Sequence, residues 1–192
     1  MKKIVFLIVA TITIISCNQK PTFDFKFADQ PQVIACDQTQ DALLNEALYS
    51  FENDLIMKYD SINKSKIKGY GAFVYRGMDG SAKYEEIISE NTRPVIDALI
   101  AENILIENKT PSHLNYEHPT VKCIINNIKD EDLKRTINAL IDTKTMDPKL
   151  FNSRFRNFGR EADKDRYLAL YIALDGYYQH ILNSTPSRIE VK

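Results

Sequence analysis

The sequence predicts an all-α protein, a single helical domain of about six to eight helices whose short connections favour antiparallel neighbours. Three observations carry this reading. Apolar residues recur at helical spacing through most of the chain, as in Val121, Ile124, Ile125 and Ile128. No βαβ alternation and no internal repeat of about 20–50 residues is present. The 192 residues, 44% hydrophobic and 27% charged with 6 Gly and 7 Pro, suit one folded core, being too apolar for disorder and too poor in Gly and Pro for a repetitive chain.

Taken in order, Met1-Lys2-Lys3 is a positively charged start, and Ile4 to Ile15 follows with Thr11 and Thr13 as its only polar members. This is the pattern of a signal sequence. A membrane span needs roughly 20 apolar residues, and Cys17-Asn18-Gln19-Lys20-Pro21 ends the run too early. Ile14-Ile15-Ser16-Cys17 resembles the bacterial lipobox. The resemblance covers residues 1–17 only and implies cleavage before Cys17 with acylation of its thiol and of the new amine. Two or three acyl chains anchor stably, since each buried CH2 adds about 0.8 kcal/mol. An ordinary secretory signal that happens to end in cysteine is the alternative. Enterobacterial lipoproteins retained at the inner membrane carry Asp directly after the cysteine. By the same resemblance Asn18 therefore points to the outer membrane, and the absence of acids in Asn18-Gln19-Lys20 favours the periplasmic face over the cell surface.

The expected organisation is a signal peptide over 1–16, a lipidated tether over 17–36, a helical domain over 37–185 and a polar C-terminal tail over 186–192. In the tether Phe23, Phe25 and Phe27 alternate with Asp24 and Lys26, the pattern of an extended tether or of a single strand laid on the domain. Three phenylalanines are costly to leave in water, so partial docking is expected.

Asp37 and Gln40 read as a variant capping box, opening an amphipathic helix over about 38–61 through Leu43, Leu44, Ala47, Leu48, Phe51, Leu55, Ile56 and Tyr59. Ser61 to Lys68 reads as a basic loop. Among the glycines that follow, Ala72 to Tyr75 fits a short buried helix or a strand, and a helix is the adopted reading. Ser81 is placed as the cap of a helix to about Ser89. Pro94 sits near the first turn of the next helix, which carries Val95, Ile96, Leu99, Ile100, Ile104 and Leu105. A loop from Asn108 to Pro119 precedes the Val121 helix, and Asp130 precedes one carrying Leu133, Ile137, Leu140 and Ile141. Asp147-Pro148 opens a helix through Leu150, Phe151, Phe155 and Phe158 to Gly159. The last helix, about Asp163 to Leu182, is apolar nearly all round and is placed at the centre.

Loss of residues 1–16 removes Lys2 and Lys3 and moves the formal net charge from -1 to about -3, which argues against a nucleic-acid partner. With Cys17 taken by lipid, Cys36 and Cys123 remain in an oxidising compartment as a candidate disulfide, or as two separate buried thiols. His113, Glu117 and His118 lie on a loop, where their spacing fixes no metal geometry, and His180 suits a helix C-terminus when protonated. Neither a phosphate-loop motif, a G-x-S-x-G elbow nor an activated thiol is present. No metal, cofactor or catalytic residue is assigned.

Arg154, Arg156 and Arg160 interleave with Phe151, Phe155 and Phe158 and are the candidate partner-binding residues; the alternative is a solvated face offset by Glu161, Asp163 and Asp165. Tyr167, Tyr171, Tyr177 and Tyr178 are expected in the core. The functional expectation is a lipid-anchored envelope protein, not an enzyme, whose domain binds another protein as an accessory subunit or a toxin-neutralising immunity protein. Two rival expectations are a small-ligand-binding lipoprotein with a pocket near Tyr70, Phe73 and Tyr75, and a hydrolase using Glu85, Glu86 or Glu117.

Overall fold

The computed structural model describes residues 23–36, 39–79, 81–109, 112–146 and 158–184. Among these residues the protein is all-α with six helices and no strand. They are α1 (Asp41–Tyr59), α2 (Lys66–Asp79), α3 (Thr92–Ala101), α4 (Pro119–Asn126), α5 (Glu131–Asp142) and a last helix, α6. α6 runs through an α-helical segment Arg166–Tyr171, a π-helical segment Ile172–Tyr178 and an α-helical end Gln179–Ser184. α1 and α6 form the centre: α2 and α3 pack on α1, α4 packs on the first segment of α6, and α5 packs on α4.

α6 is as apolar as its sequence predicts, with Leu168 to Leu174 all buried. α1 departs from the amphipathic expectation. Besides Leu44, Leu48, Phe51 and Leu55 it buries Asn45, Glu46, Ser50, Glu52 and Asp54. A helix surrounded by protein on most sides has no solvated face on which to place polar residues, so each of these needs an internal partner.

Two of them hold the N-terminal strap, residues 23–36, along the first half of α1. Asn45 Oδ1 accepts the amides of Val33 (2.8 Å) and Ile34 (3.1 Å), and its Nδ2 donates to the Ile34 carbonyl (3.0 Å). The Glu46 carboxylate accepts the amides of Lys26 (3.1 Å) and Phe27 (2.8 Å). Helix side chains thus serve the strap's backbone as a neighbouring strand would. Its buried anchor is Ile34, while Phe25, expected to dock, is 38% exposed. A Cys36–Cys123 disulfide, with Cα atoms 5.8 Å apart, ties the end of the strap to α4.

Several local expectations are corrected. Helix α2 begins at Lys66, so the basic loop is shorter than expected, and the glycine-rich stretch lies within the helix. Two close approaches explain the glycines: a Cβ at Gly69 would lie 3.2 Å from Leu55 Cβ, and one at Gly159 would lie 3.1 Å from Gly71 Cα. Ser81 opens no α-helix; only a 3-10 turn, Tyr84–Glu86, forms there. α3 ends at Ala101, and Leu105 instead pairs with Leu114 in an isolated antiparallel bridge. Pro119 is the first turn of α4, capped by His118, whose Nδ1 accepts the Thr120 amide (3.2 Å). Asp37, Asp147-Pro148 and the helix through Phe151 and Phe155 lie outside the described residues.

Gly69→Ala is expected to lower stability by about 1–3 kcal/mol through overpacking against Leu55, although an Ala in a helix interior ordinarily gains about 0.5–1 kcal/mol over Gly. Chemical denaturation reads the sign directly; a stabilised variant would show that α1 and α2 can part at no cost.

Candidate functional site

The buried polar side chains gather in two places. On α1, Glu52 is 3% exposed and accepts from Arg166 Nη1 (2.5 Å) and the Tyr70 hydroxyl (2.7 Å), with Lys66 Nζ 2.9 Å from its other oxygen. Burial alone would raise its pKa, but Arg166, Tyr70 and Lys66 together hold it below the usual carboxylate range. The Tyr70 hydroxyl is pushed up by burial and by Glu52. This cluster clamps α1, α2 and α6 together. It offers no acid or base near neutral pH.

Two residues on, Asp54 Oδ2 accepts from the Thr92 (2.7 Å) and Tyr177 (2.7 Å) hydroxyls. Burial raises its pKa against the hydrogen bonds of Ser89, Thr92 and Tyr177. A carboxyl with a raised folded pKa contributes most below its unfolded value of about 3.9, and that contribution is lost as pH rises through the folded value. Asp54→Asn is therefore expected to gain on wild type as pH rises from acid to neutral. Thermal unfolding across that range checks it, and a difference independent of pH would show that folding leaves the Asp54 carboxyl unshifted.

The second cluster faces the π-helical segment. Tyr116 donates to Asp175 Oδ1 (2.5 Å), Ser112 Oγ donates to Gln179 Oε1 (2.7 Å), and Gln179 Nε2 donates to Asp175 Oδ1 (2.9 Å). Each of these four residues is buried. Burial and then Asp175 push the Tyr116 hydroxyl far up, so it stays a phenol. A cavity of about 270 Å³ opens onto Ser112 and Tyr116, with Ile141 and Met146 as apolar wall and Lys109, Glu117 and Lys144 also lining it. A second concavity, about 370 Å³, lies between the strap and α3, lined by Phe23, Phe25, Leu43, Ala98 and Ala101, with Gln40 donating to Glu102 at 3.2 Å.

The candidates read from the sequence fall as follows. Arg154 and Arg156 lie outside the described residues, as does Cys17. Arg160 is exposed, beside the Gly159–Gly71 approach that lays its turn on α2. Tyr70 and Phe73 are core residues packed against Phe51, and Tyr75 is 57% exposed, so the three do not share one lining surface. Glu86 pairs with Lys58 (2.6 Å) and Glu117 with Lys122 (2.7 Å) on separate parts of the surface. His113 bonds the Ile106 carbonyl through Nδ1 (2.8 Å). His180 stacks on Tyr84 and is held below its usual pKa by burial and then by His113, which corrects the expectation of a protonated residue at a helix end. Among the described residues no group of three or more His, Cys, Asp or Glu side chains could hold a metal.

One surface feature was not anticipated. Met57, Ile62, Ile67, Tyr75 and Ile88, large apolar side chains that are 45–91% exposed, all lie between residues 57 and 88. Contacts of Lys58 with Glu86 and of Arg76 with the Tyr59 ring bring these segments to the C-terminal end of α1. Ile67 and Tyr75 share one face of α2 with Gly71 between them; Lys64, Lys68 and Arg76 neighbour them along the chain, Lys68 pairing with Asp60 (3.7 Å).

Fold and site together define an all-α domain with buried polar clusters, a disulfide-tied strap and an end that exposes several apolar side chains. No family model, curated protein or solved structure matches the chain.

Proposed function

We propose that the chain is a lipoprotein anchored through Cys17 at the outer membrane, facing the periplasm, whose helical domain binds a protein partner and catalyses no reaction of its own. The observation that carries the binding role is the group of exposed apolar side chains at the α1–α2 end. Isolated exposed apolar residues are ordinary, but several on one end mark an interaction surface. The lysines and arginine that neighbour them along the chain suit a partner with an acidic rim, and Arg160 adds to that charge. An accessory subunit of an envelope complex and an immunity protein both use such a surface.

Two measurements test this reading. Alkyne-palmitate labelling is expected to mark the wild-type protein and to be lost in Cys17→Ala; labelling that persists would remove the anchor. Ile67→Asp with Tyr75→Asp is expected to abolish co-purification of the envelope partner while lowering the melting temperature only slightly, because the two residues are 46% and 57% exposed. Retention of the partner would move the interface elsewhere.

A further inference from the structure

The cavity over Ser112 and Tyr116 has donors and acceptors sorted by depth. At its floor the Tyr116 hydrogen is committed to Asp175 and the Ser112 hydrogen to Gln179, so neither hydroxyl keeps a hydrogen for a ligand; Ser112 Oγ accepts the Leu114 amide (3.1 Å) and lies 3.4 Å from the Tyr116 oxygen, so what faces the cavity is the acceptor capacity left on these two oxygens, with the Asp175 carboxylate behind them. The floor therefore accepts hydrogen bonds and favours positive charge. Lys109 and Lys144 also line the cavity and make no ion pair among the described residues. Glu117, on the same cavity, is paired with Lys122 at 2.7 Å, which leaves the excess charge there positive.

Lys144 carries a further signal. The Lys144 amide bonds the Ile141 carbonyl (2.9 Å) and the Thr145 amide bonds the Leu140 carbonyl (3.0 Å), closing α5 with Lys144 in the left-handed region at φ 56°. Glycine is the residue this helix ending favours, because any Cβ is strained there. Asn108, directly before Lys109, is also left-handed at φ 57°. Folding alone would be better served by glycine at 144, yet the position holds an ammonium on the cavity wall.

We infer that this cavity binds a small zwitterion of the amino-acid type, its amine toward the Tyr116 and Ser112 oxygens, its carboxylate toward Lys109 and Lys144, and its apolar part against Ile141 and Met146. The volume, just under the usual range for ligand sites, suits a molecule of that size. The site is separate from the α1–α2 end and stands whether or not the protein is lipidated or finds a partner.

Thermal shift and calorimetry of the full mature protein against each standard L-amino acid, with the matching amine-free acid and carboxylate-free amine, test the inference. At least one amino acid is expected to bind, with both truncated analogues weaker by about tenfold or more. Lys144→Gly is expected to weaken that binding by about tenfold while melting no lower than wild type, since glycine relieves the strained position. Tyr116→Phe is expected to weaken it too, with folding checked by circular dichroism. Failure of every amino acid to bind, or undiminished binding by Lys144→Gly, overturns the proposal.

Discussion

Glu52→Ala is expected to cost about 3–5 kcal/mol of folding stability, the range for removing one partner of a buried ion pair. The loss has two sources. Arg166, with its side chain 20% exposed, keeps its charge with no carboxylate to meet it, and the Tyr70 hydroxyl, on a residue 1% exposed, loses its acceptor. Lys66 adds little, because its side chain is 39% exposed and water replaces the pair. For a domain of this size the cost corresponds to a fall in melting temperature of roughly 6–20 °C. Glu52→Gln should fall between the two, since an amide oxygen still accepts from Tyr70. The pH dependence has a definite sign. A carboxylate whose folded pKa is depressed contributes stability above its unfolded value of about 4.3, and the contribution is lost as pH falls through the folded value. The acid limb of the wild-type stability profile should therefore flatten in Glu52→Gln. Denaturant titration near neutral pH measures the main effect, and a loss below about 1 kcal/mol would mean that water reaches Arg166 and Tyr70 once the carboxylate is gone.

Removing the disulfide by the double substitution Cys36→Ser, Cys123→Ser is expected to cost about 4–5 kcal/mol. The bond closes a loop of sequence separation 87, and the chain-entropy model gives that figure for a loop of this length. The strap keeps other attachments, through Asn45, Glu46 and the Asp41 carboxylate that accepts the Cys36 amide at 2.7 Å, so the domain should still fold. Hydrogen exchange should then rise most at Val33 and Ile34, where the strap leaves its anchor. Reduction of the wild-type protein should reproduce the loss. If the reduced and double-serine proteins both melt as the oxidised one does, the strap is held by its backbone hydrogen bonds alone.

Much of the architecture is legible in the residues. The i, i+4 spacing of Val121 with Ile125, and of Leu133 with Ile137, places α4 and α5, and Asp130 does cap α5, accepting the Leu133 amide at 2.7 Å. What misled was α1: its leucines alternate with Asn45, Glu46, Glu52 and Asp54, which reads as an apolar face with a wet one. Polarity records that a side chain needs hydrogen bonds, not whether water or protein supplies them. The glycines of α2 are ambiguous for the same kind of reason. A glycine that lets Leu55 approach and one that opens a turn are identical in the chain, and only the neighbour tells them apart.

The binding surfaces were the least legible. Tyr70 and Phe73 drew attention as aromatics among glycines and are core, whereas Ile67 and Tyr75 on the same helix are exposed. The Tyr116–Asp175 pair joins residues 59 apart in sequence, with no motif to link them.

By itself the sequence determined the helical class, the apolar central helix α6, the apolar stripes of α4 and α5, and a segment at the N-terminus that resembles a lipoprotein signal. These depend on periodicity and local hydrogen bonding, which act over a few residues. The tertiary structure alone decided that α1 is enclosed, that the strap is fastened by helix side chains and a bond to Cys123, and that a lysine in a strained turn lines a cavity with a phenol on its floor. Those outcomes depend on which distant groups meet, and burial makes each meeting obligatory, since a polar group withdrawn from water must find its partner in the protein.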